Sequence, residues 1–416
     1  MYRRLHTPPR SGMAACAASL VSLALAFTLW AGAAGAPDAL AQADITPAAA
    51  LERLLVSETV AADWFAPVFL AQVSVEQVER IVAQLRAGLG QLVGVEGSGV
   101  TYEVVFEQGV VPAQIALDAE GRIAGLFFGP PRPKVSGLEE ALAPFAELPG
   151  QVSVLVLGGS AELAALNPDA PLAVGSAFKL AVLAALRQQI VLGQRSWDEV
   201  VVLDETWRSL PSGILQDWPA GSPMTLHTLA ALMISFSDNT ATDALLNLVG
   251  RDAVEALTTR NRPFLSTREA FVLKSPANED LLARWRAADE AGRRALLAEA
   301  AKRPLPTADV FSSPRALDVE WFFTTRELCG LMGAVYDLPL MSINPGVANR
   351  DDWAWVAYKG GSEPGVLNLT TALVDANGAG YCVSATWNHT DNLDELRFFG
   401  LYSGLLEAIK QLGASQ

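Results

Sequence analysis

Ser176 and Lys179 stand three residues apart in Val174-Gly-Ser-Ala-Phe-Lys-Leu-Ala-Val-Leu-Ala-Ala-Leu186. On a helix that spacing puts both side chains on one face. A polar, Pro-containing loop ends at Gly175, so Ser176 falls in a first turn, where free N–H groups favour developing negative charge. A lysine pressed against apolar neighbours can lose its proton and serve as base to an adjacent hydroxyl. The pattern also suits an N-cap serine beside a surface lysine. Two features favour the chemistry. Of six lysines only Lys179 has a serine three residues before it, and Phe178, Leu180 and Ala181-Val182-Leu183 surround it with apolar residues.

Two further segments carry groups of the right type. Ser237-Asp-Asn239 interrupts two helical patterns, and such a break can present a hydroxyl and an amide to a cleft; a plain N-cap and turn would read the same way. Lys359-Gly-Gly-Ser362 closes one strand-like run before the next. Its glycines let a substrate approach, and its lysine and hydroxyl can hold a carboxylate, although an ordinary hairpin turn has the same composition.

In this order the three segments resemble the signature of the penicillin-recognising serine hydrolases, most closely class A β-lactamases: Ser-x-x-Lys, Ser-Asp-Asn, Lys-Thr/Ser-Gly. The first two match fully; the third has Gly360 where the family has Thr or Ser. The resemblance covers most of residues 136–416. It implies that Ser176 attacks a carbonyl, Lys179 helps take its proton and Ser237 relays a proton to the leaving group. It further implies that Asn239 holds the substrate amide, and that Lys359, Gly361 and Ser362 bind its carboxylate end. The N–H groups of Ser176 and Ser362 would form the oxyanion hole. The family's Glu-x-x-Leu-Asn motif is missing from 262–274, leaving Glu269 as the candidate deacylation base. The two-domain layout and Lys359-Gly-Gly-Ser-Glu-Pro-Gly365 are similar to the β-lactamase-like esterase group of clavulanic acid biosynthesis. The function expected is an exported serine hydrolase acting through an acyl-enzyme on a β-lactam, amide or ester that bears a carboxylate. A penicillin-binding receptor with little turnover, or a D,D-peptidase-like enzyme, is the alternative. No cofactor or metal is expected.

The rest of the chain must position these groups. With 51% hydrophobic and 18% charged residues it reads as globular, and a formal charge of −15 makes nucleic acid and anionic membranes poor partners. Residues 1–43 read as an export signal: Arg3, Arg4 and Arg10, an apolar run from Met13 to Ala34, then small residues ending in Ala41-Gln-Ala43. No stable membrane anchor is expected after its cleavage, which leaves a periplasmic or secreted protein. Cys329 lies in a helical pattern and Cys382 in a strand pattern, so two separate buried thiols are expected.

Residues 44–130 read as a small α+β domain, isomerase-like or cystatin-like in layout. Its helical patterns cover 47–56 and 75–92, and strands 101–106, 111–118 and 123–128 form a meander. The run Gly129-Pro-Pro-Arg-Pro133 reads as stiff and helix-breaking, and residues 131–135 are set as the linker. Residues 136–416 then read as an α+β hydrolase domain: an α/β/α sandwich with an antiparallel sheet and an all-helical insertion. Its strands are expected at 152–157, 353–359, 365–374 and 380–387, and its closing helix at 393–412. His227 and His389 are expected to be a partly buried helix residue and a loop residue, and no Gly-x-Ser-x-Gly elbow supports a Ser-His-Asp enzyme.

Overall fold

The computed structural model describes residues 45–129 and 131–414, so the expected signal at 1–43 lies outside the described residues. The N-terminal part begins with helix α1 (Pro47–Val56), capped by the Thr46 hydroxyl as its sequence predicts. Helix α2 (Val75–Leu89) stops short of the expected end because Gly90 turns away at φ +81°, where a Cβ would strike the Glu107 carboxylate. Four antiparallel strands follow in sequential order: β1 (Leu92–Ser98), β2 (Thr101–Phe106), β3 (Gly109–Leu117) and β4 (Ile123–Phe128). Strand β1 was not foreseen; its outer side is exposed, so it carries little apolar alternation. Leu51, Leu54, Val82, Phe106 and Ile115 centre a core of this part's own.

The expected linker segment is itself paired. Arg132–Pro133 forms strand β5, which pairs with Gly109 and Val110 of β3 and extends the first sheet. Pro133 also touches the C-terminal helix: a Cβ on Gly404 would lie 3.0 Å from its ring. The stiffness read from the prolines thus serves edge pairing and packing.

The second part is mixed α+β, built on five antiparallel strands: β6 (Gln151–Gly158), β7 (Ala161–Leu166), β8 (Trp355–Glu363), β9 (Val366–Val374) and β10 (Gly380–Asn388), in the order β8-β9-β10-β6-β7. One face packs Leu367, Leu369, Val383 and Trp387 against the C-terminal helix and Phe145. The other face carries hydroxyls and an amide: Thr370 bonds Ser384 at 2.9 Å, Asn368 bonds Thr386 at 2.9 Å, and Ser153 bonds Thr325 at 3.0 Å. Each buried polar group finds a partner there, so the row costs little.

Over that face lie helices α3 (Lys179–Val191), α4 (Leu226–Ser235), α5 (Asn239–Val249), α6 (Thr267–Lys274) and α7 (Thr325–Gly333); α8 (Glu395–Ala414) covers the opposite face. Leu180 to Leu186 are all buried, as expected of a helix apolar on every side. Cys329 and Cys382 form a disulfide with Cα atoms 5.9 Å apart, which corrects the expectation of separate thiols. Helix α7 packs on β10, so a helical and a strand pattern 53 residues apart meet face to face. Among the described residues no helix is long and apolar enough to cross a membrane.

Candidate active site

The Ser176 turn is anchored before it is formed. Asn388 bonds Ala173 twice, accepting from its N–H at 2.8 Å and donating to its carbonyl at 2.8 Å, and the Val174 N–H donates to Trp321 O. Gly175 then adopts φ +49°, and a 3₁₀ turn spans Gly175–Phe178 before α3 begins at Lys179. The expected α-helical first turn is therefore tighter than foreseen. In a 3₁₀ turn residues three apart eclipse, which stacks Ser176 and Lys179 more directly than an α turn would.

Strand β8 lies against this turn with no side chain between. A Cβ on Gly361 would sit 2.4 Å from Ser176 N and 2.1 Å from Val174 O, so only glycine fits. That contact brings the backbones of Ser176 and Ser362 together, where the oxyanion hole was expected. Lys359 and Gly361 face the helical part, while Tyr358, Gly360 and Ser362 face α8, as strand alternation requires. Lys359 was expected to end its strand; it lies mid-strand in β8, which runs on to Glu363.

Lys179 is fully buried. Its Nζ donates to Ser237 O at 2.5 Å and Asn239 Oδ1 at 2.7 Å, and lies 3.1 Å from Ser237 Oγ. All three partners are uncharged. Burial outweighs the more distant charges of Asp238 and Asp243 and brings the lysine down to about 7. A neutral amine has two N–H groups and one lone pair. The carbonyl and amide oxygens take the two hydrogens, which leaves the lone pair free to receive a proton.

Ser237 has φ +54°, unusual for a residue with a side chain. Its carbonyl is held by Lys179 and by the Ser212 hydroxyl at 2.7 Å, while its own hydroxyl sits between Lys179 Nζ and Lys359 Nζ, 3.0 Å from the latter. Asp238 caps α5 and accepts from the N–H groups of Ala241, Ile214 and Leu215, which fixes the turn from below. Asn239 Nδ2 donates to Leu210 O at 3.0 Å. Its oxygen thus helps position Lys179, while its nitrogen, with one of two N–H groups given to Leu210 O, lines the cleft.

Lys359 differs from expectation. It is 3% exposed and donates to Ser237 Oγ and to Gly360 O at 2.5 Å. Burial, then the charge of Lys179, hold it well below the ordinary lysine range. Ser362 also differs: its hydroxyl donates to Glu395 Oε1 at 2.8 Å. Glu269 does not line the cleft. Its carboxylate is bound by Arg251 Nη2 at 2.8 and 3.0 Å and by the Ser266 N–H at 2.8 Å, forming a capping box for α6. The candidate deacylation base is therefore a buried structural group.

Ser176, Ser237, Asn239, Lys359, Gly361 and Ser362 line one cleft of about 690 Å³, room for a drug-sized ligand. Phe178 stacks on Trp321 at 3.8 Å and Phe271 leans on Phe311 at 5.3 Å, giving the cleft an aromatic wall. Asp243 lies beneath, pushed up to about 7 by burial although Thr267 and Arg268 donate to it. Ser212, Tyr358 and Glu395 were not foreseen: Ser212 sits in an irregular loop and the other two in segments whose patterns announce only packing. His227 is exposed on α4 against Trp197, and His389 accepts from the Asp391 N–H; neither lines the cleft. Among the described residues no cluster of three or more His, Cys, Asp or Glu could hold a metal.

No curated protein matches the chain. Among solved structures it is similar to the β-lactamase from Sphaerobacter thermophilus, with 19% identity and a TM-score of 0.44 over 67% of this chain and 98% of that one. It is also similar to PBP-A, with 14% identity and a TM-score of 0.44 over 67% and 96%. The β-lactamase from Chitinophaga pinensis gives 17% identity and a TM-score of 0.46 over 66% and 98%. Residues 137–290 match the model of the β-lactamase enzyme family. That stretch takes in Ser176, Lys179, Ser237 and Asn239.

Proposed function

We propose that the protein is an active-site serine hydrolase that cleaves esters or amides, β-lactams among them, through an acyl-enzyme on Ser176. The observation that carries this reading is the Ser237 hydroxyl held between Lys179 and Lys359, with Lys179 buried among uncharged partners. In the first half-reaction Ser176 Oγ bonds to the substrate carbonyl carbon and its proton passes to neutral Lys179. The tetrahedral adduct collapses with cleavage of the C–O or C–N bond, and the leaving atom takes a proton through Ser237. Water then repeats the sequence in reverse on the ester of Ser176 and releases the acid.

A fluorophosphonate probe should label the protein covalently, and Ser176→Ala should abolish labelling. Labelling that persists in that variant would sink the assignment.

A second reading, acylation with scarcely any turnover as in a penicillin receptor, draws support from Glu269. That carboxylate is committed to Arg251 and Ser266, away from the cleft. Steady-state assays with an aryl acetate and with nitrocefin separate the two, since multiple turnovers exclude a pure acceptor. Export is part of the proposal, and the Cys329–Cys382 bond supports it, because such bonds persist in oxidising compartments.

A further inference from the structure

The leaving-group end of the cleft is the end where Ser237 meets Lys359, and it continues along β8 through Gly360 and Ser362 to Glu363. A carboxylate bound there would need hydrogen-bond donors and positive charge. The side-chain donors at that end are largely engaged inside the protein. Ser362 donates to Glu395, a carboxylate of the protein itself. Lys359 donates to Ser237 and Gly360 O. Gly360 brings no hydroxyl, and none could be added in place, because a Cβ there would lie 2.2 Å from the Tyr358 hydroxyl and 2.9 Å from Asn368 O.

The charges point the same way. Among the described residues lining the cleft the only basic side chain is Lys359, at its buried floor and pushed well below the ordinary lysine range, while Glu363 and Glu395 are both partly exposed. Lys274, which pairs with Glu363, is shared with Glu320 and does not line the cleft. An anionic substrate would meet Glu395 where an open donor is needed. A cation would find a carboxylate facing it.

We infer that this end of the cleft selects substrates whose leaving group is cationic or neutral and rejects those bearing a carboxylate there, with Glu395 on Ser362 as the selecting pair. The inference rests on the acyl-transfer reading for its choice of substrates, but its charge preference can be read from binding alone. The probes are 3-(trimethylammonio)phenyl, 3-tert-butylphenyl and 3-carboxyphenyl acetate, each rate divided by its hydroxide-catalysed rate. The corrected kcat/KM should be roughly 100-fold higher for the cationic than for the anionic ester, and Glu395→Gln should shrink that ratio about tenfold. Phenyltrimethylammonium and benzoate, titrated against tryptophan fluorescence, test the same preference without turnover. Tighter binding of the cation, weakened in Glu395→Gln, supports the inference even if no ester is cleaved, an outcome that would count against the hydrolase reading alone. Tighter binding of benzoate, faster cleavage of the carboxyphenyl ester, or a charge ratio unmoved by Glu395→Gln would overturn it.

Discussion

Lys179 and Lys274 are both fully buried, yet their surroundings push them in opposite directions. Lys274 is bonded to two carboxylates, Glu320 and Glu363; burial acts against its charge, but the two anions overcome it and hold the lysine above its ordinary range. Lys179 has only a carbonyl, an amide and a hydroxyl in contact, and it falls to about 7. Burial alone therefore does not make a base. What separates a structural cation from a proton acceptor is whether its partners are charged or merely polar.

The largest effect that tests this contrast is on chemistry. Lys179→Met should slow acylation of a neutral aryl ester by about 10²–10⁴, the usual contribution of a positioned base, with the far-UV spectrum unchanged. A loss below tenfold would show that Lys179 is no base. Lys274→Met should act on stability, leaving the buried Glu320 and the partly buried Glu363 without their cation at a cost of about 3–5 kcal/mol in urea unfolding. A variant as stable as the parent would break the contrast from the other side.

Acidity sharpens it further. Because the neutral form of Lys179 is the active one, kcat/KM for a neutral ester should rise with pH, about tenfold per unit below 7, and level off above it. A profile flat from pH 5 to 8 would contradict the value near 7. The smallest effect expected is that of Ser212→Ala, which removes one hydrogen bond to Ser237 O. About 0.5–1.5 kcal/mol, or two- to twelvefold in acylation rate, is the expected loss. No change would mean that Lys179 alone fixes the Ser237 carbonyl.

Sequence spacing made the centre of the site legible, because Ser176-x-x-Lys179 and Ser237-Asp-Asn239 each lie within one turn or break. What it could not convey were contacts between distant segments. Ser362 was expected to face substrate, but its partner Glu395 lies 33 residues on, at the first turn of α8. Cys329 and Cys382 looked separate because neither pattern tells which helix rides on which strand. Glu269 is a different case: Ser266-x-x-Glu269 has capping-box spacing, a signal that was present and that outranks a search for a base. Strand β7 escaped because Ala161-Glu-Leu-Ala-Ala-Leu166 has the composition of a helix, and only pairing with β6 holds it extended.

The closeness of Tyr358 to Gly360 bears on how such a site can change over generations. The ring of Tyr358 rests on Gly346 and its hydroxyl fills the space beside Gly360, so the two positions are not free to vary one at a time. A threonine at 360 would arrive in a lineage as a clash unless residue 358 had first become smaller and the Asn368 carbonyl had drawn back. The reverse order is closed as well, since tyrosine at 358 is admitted only while 360 stays bare. Glycine in the third motif is thus one half of an inherited pair, and related sequences should carry the bulky and the bare residue together or lack both.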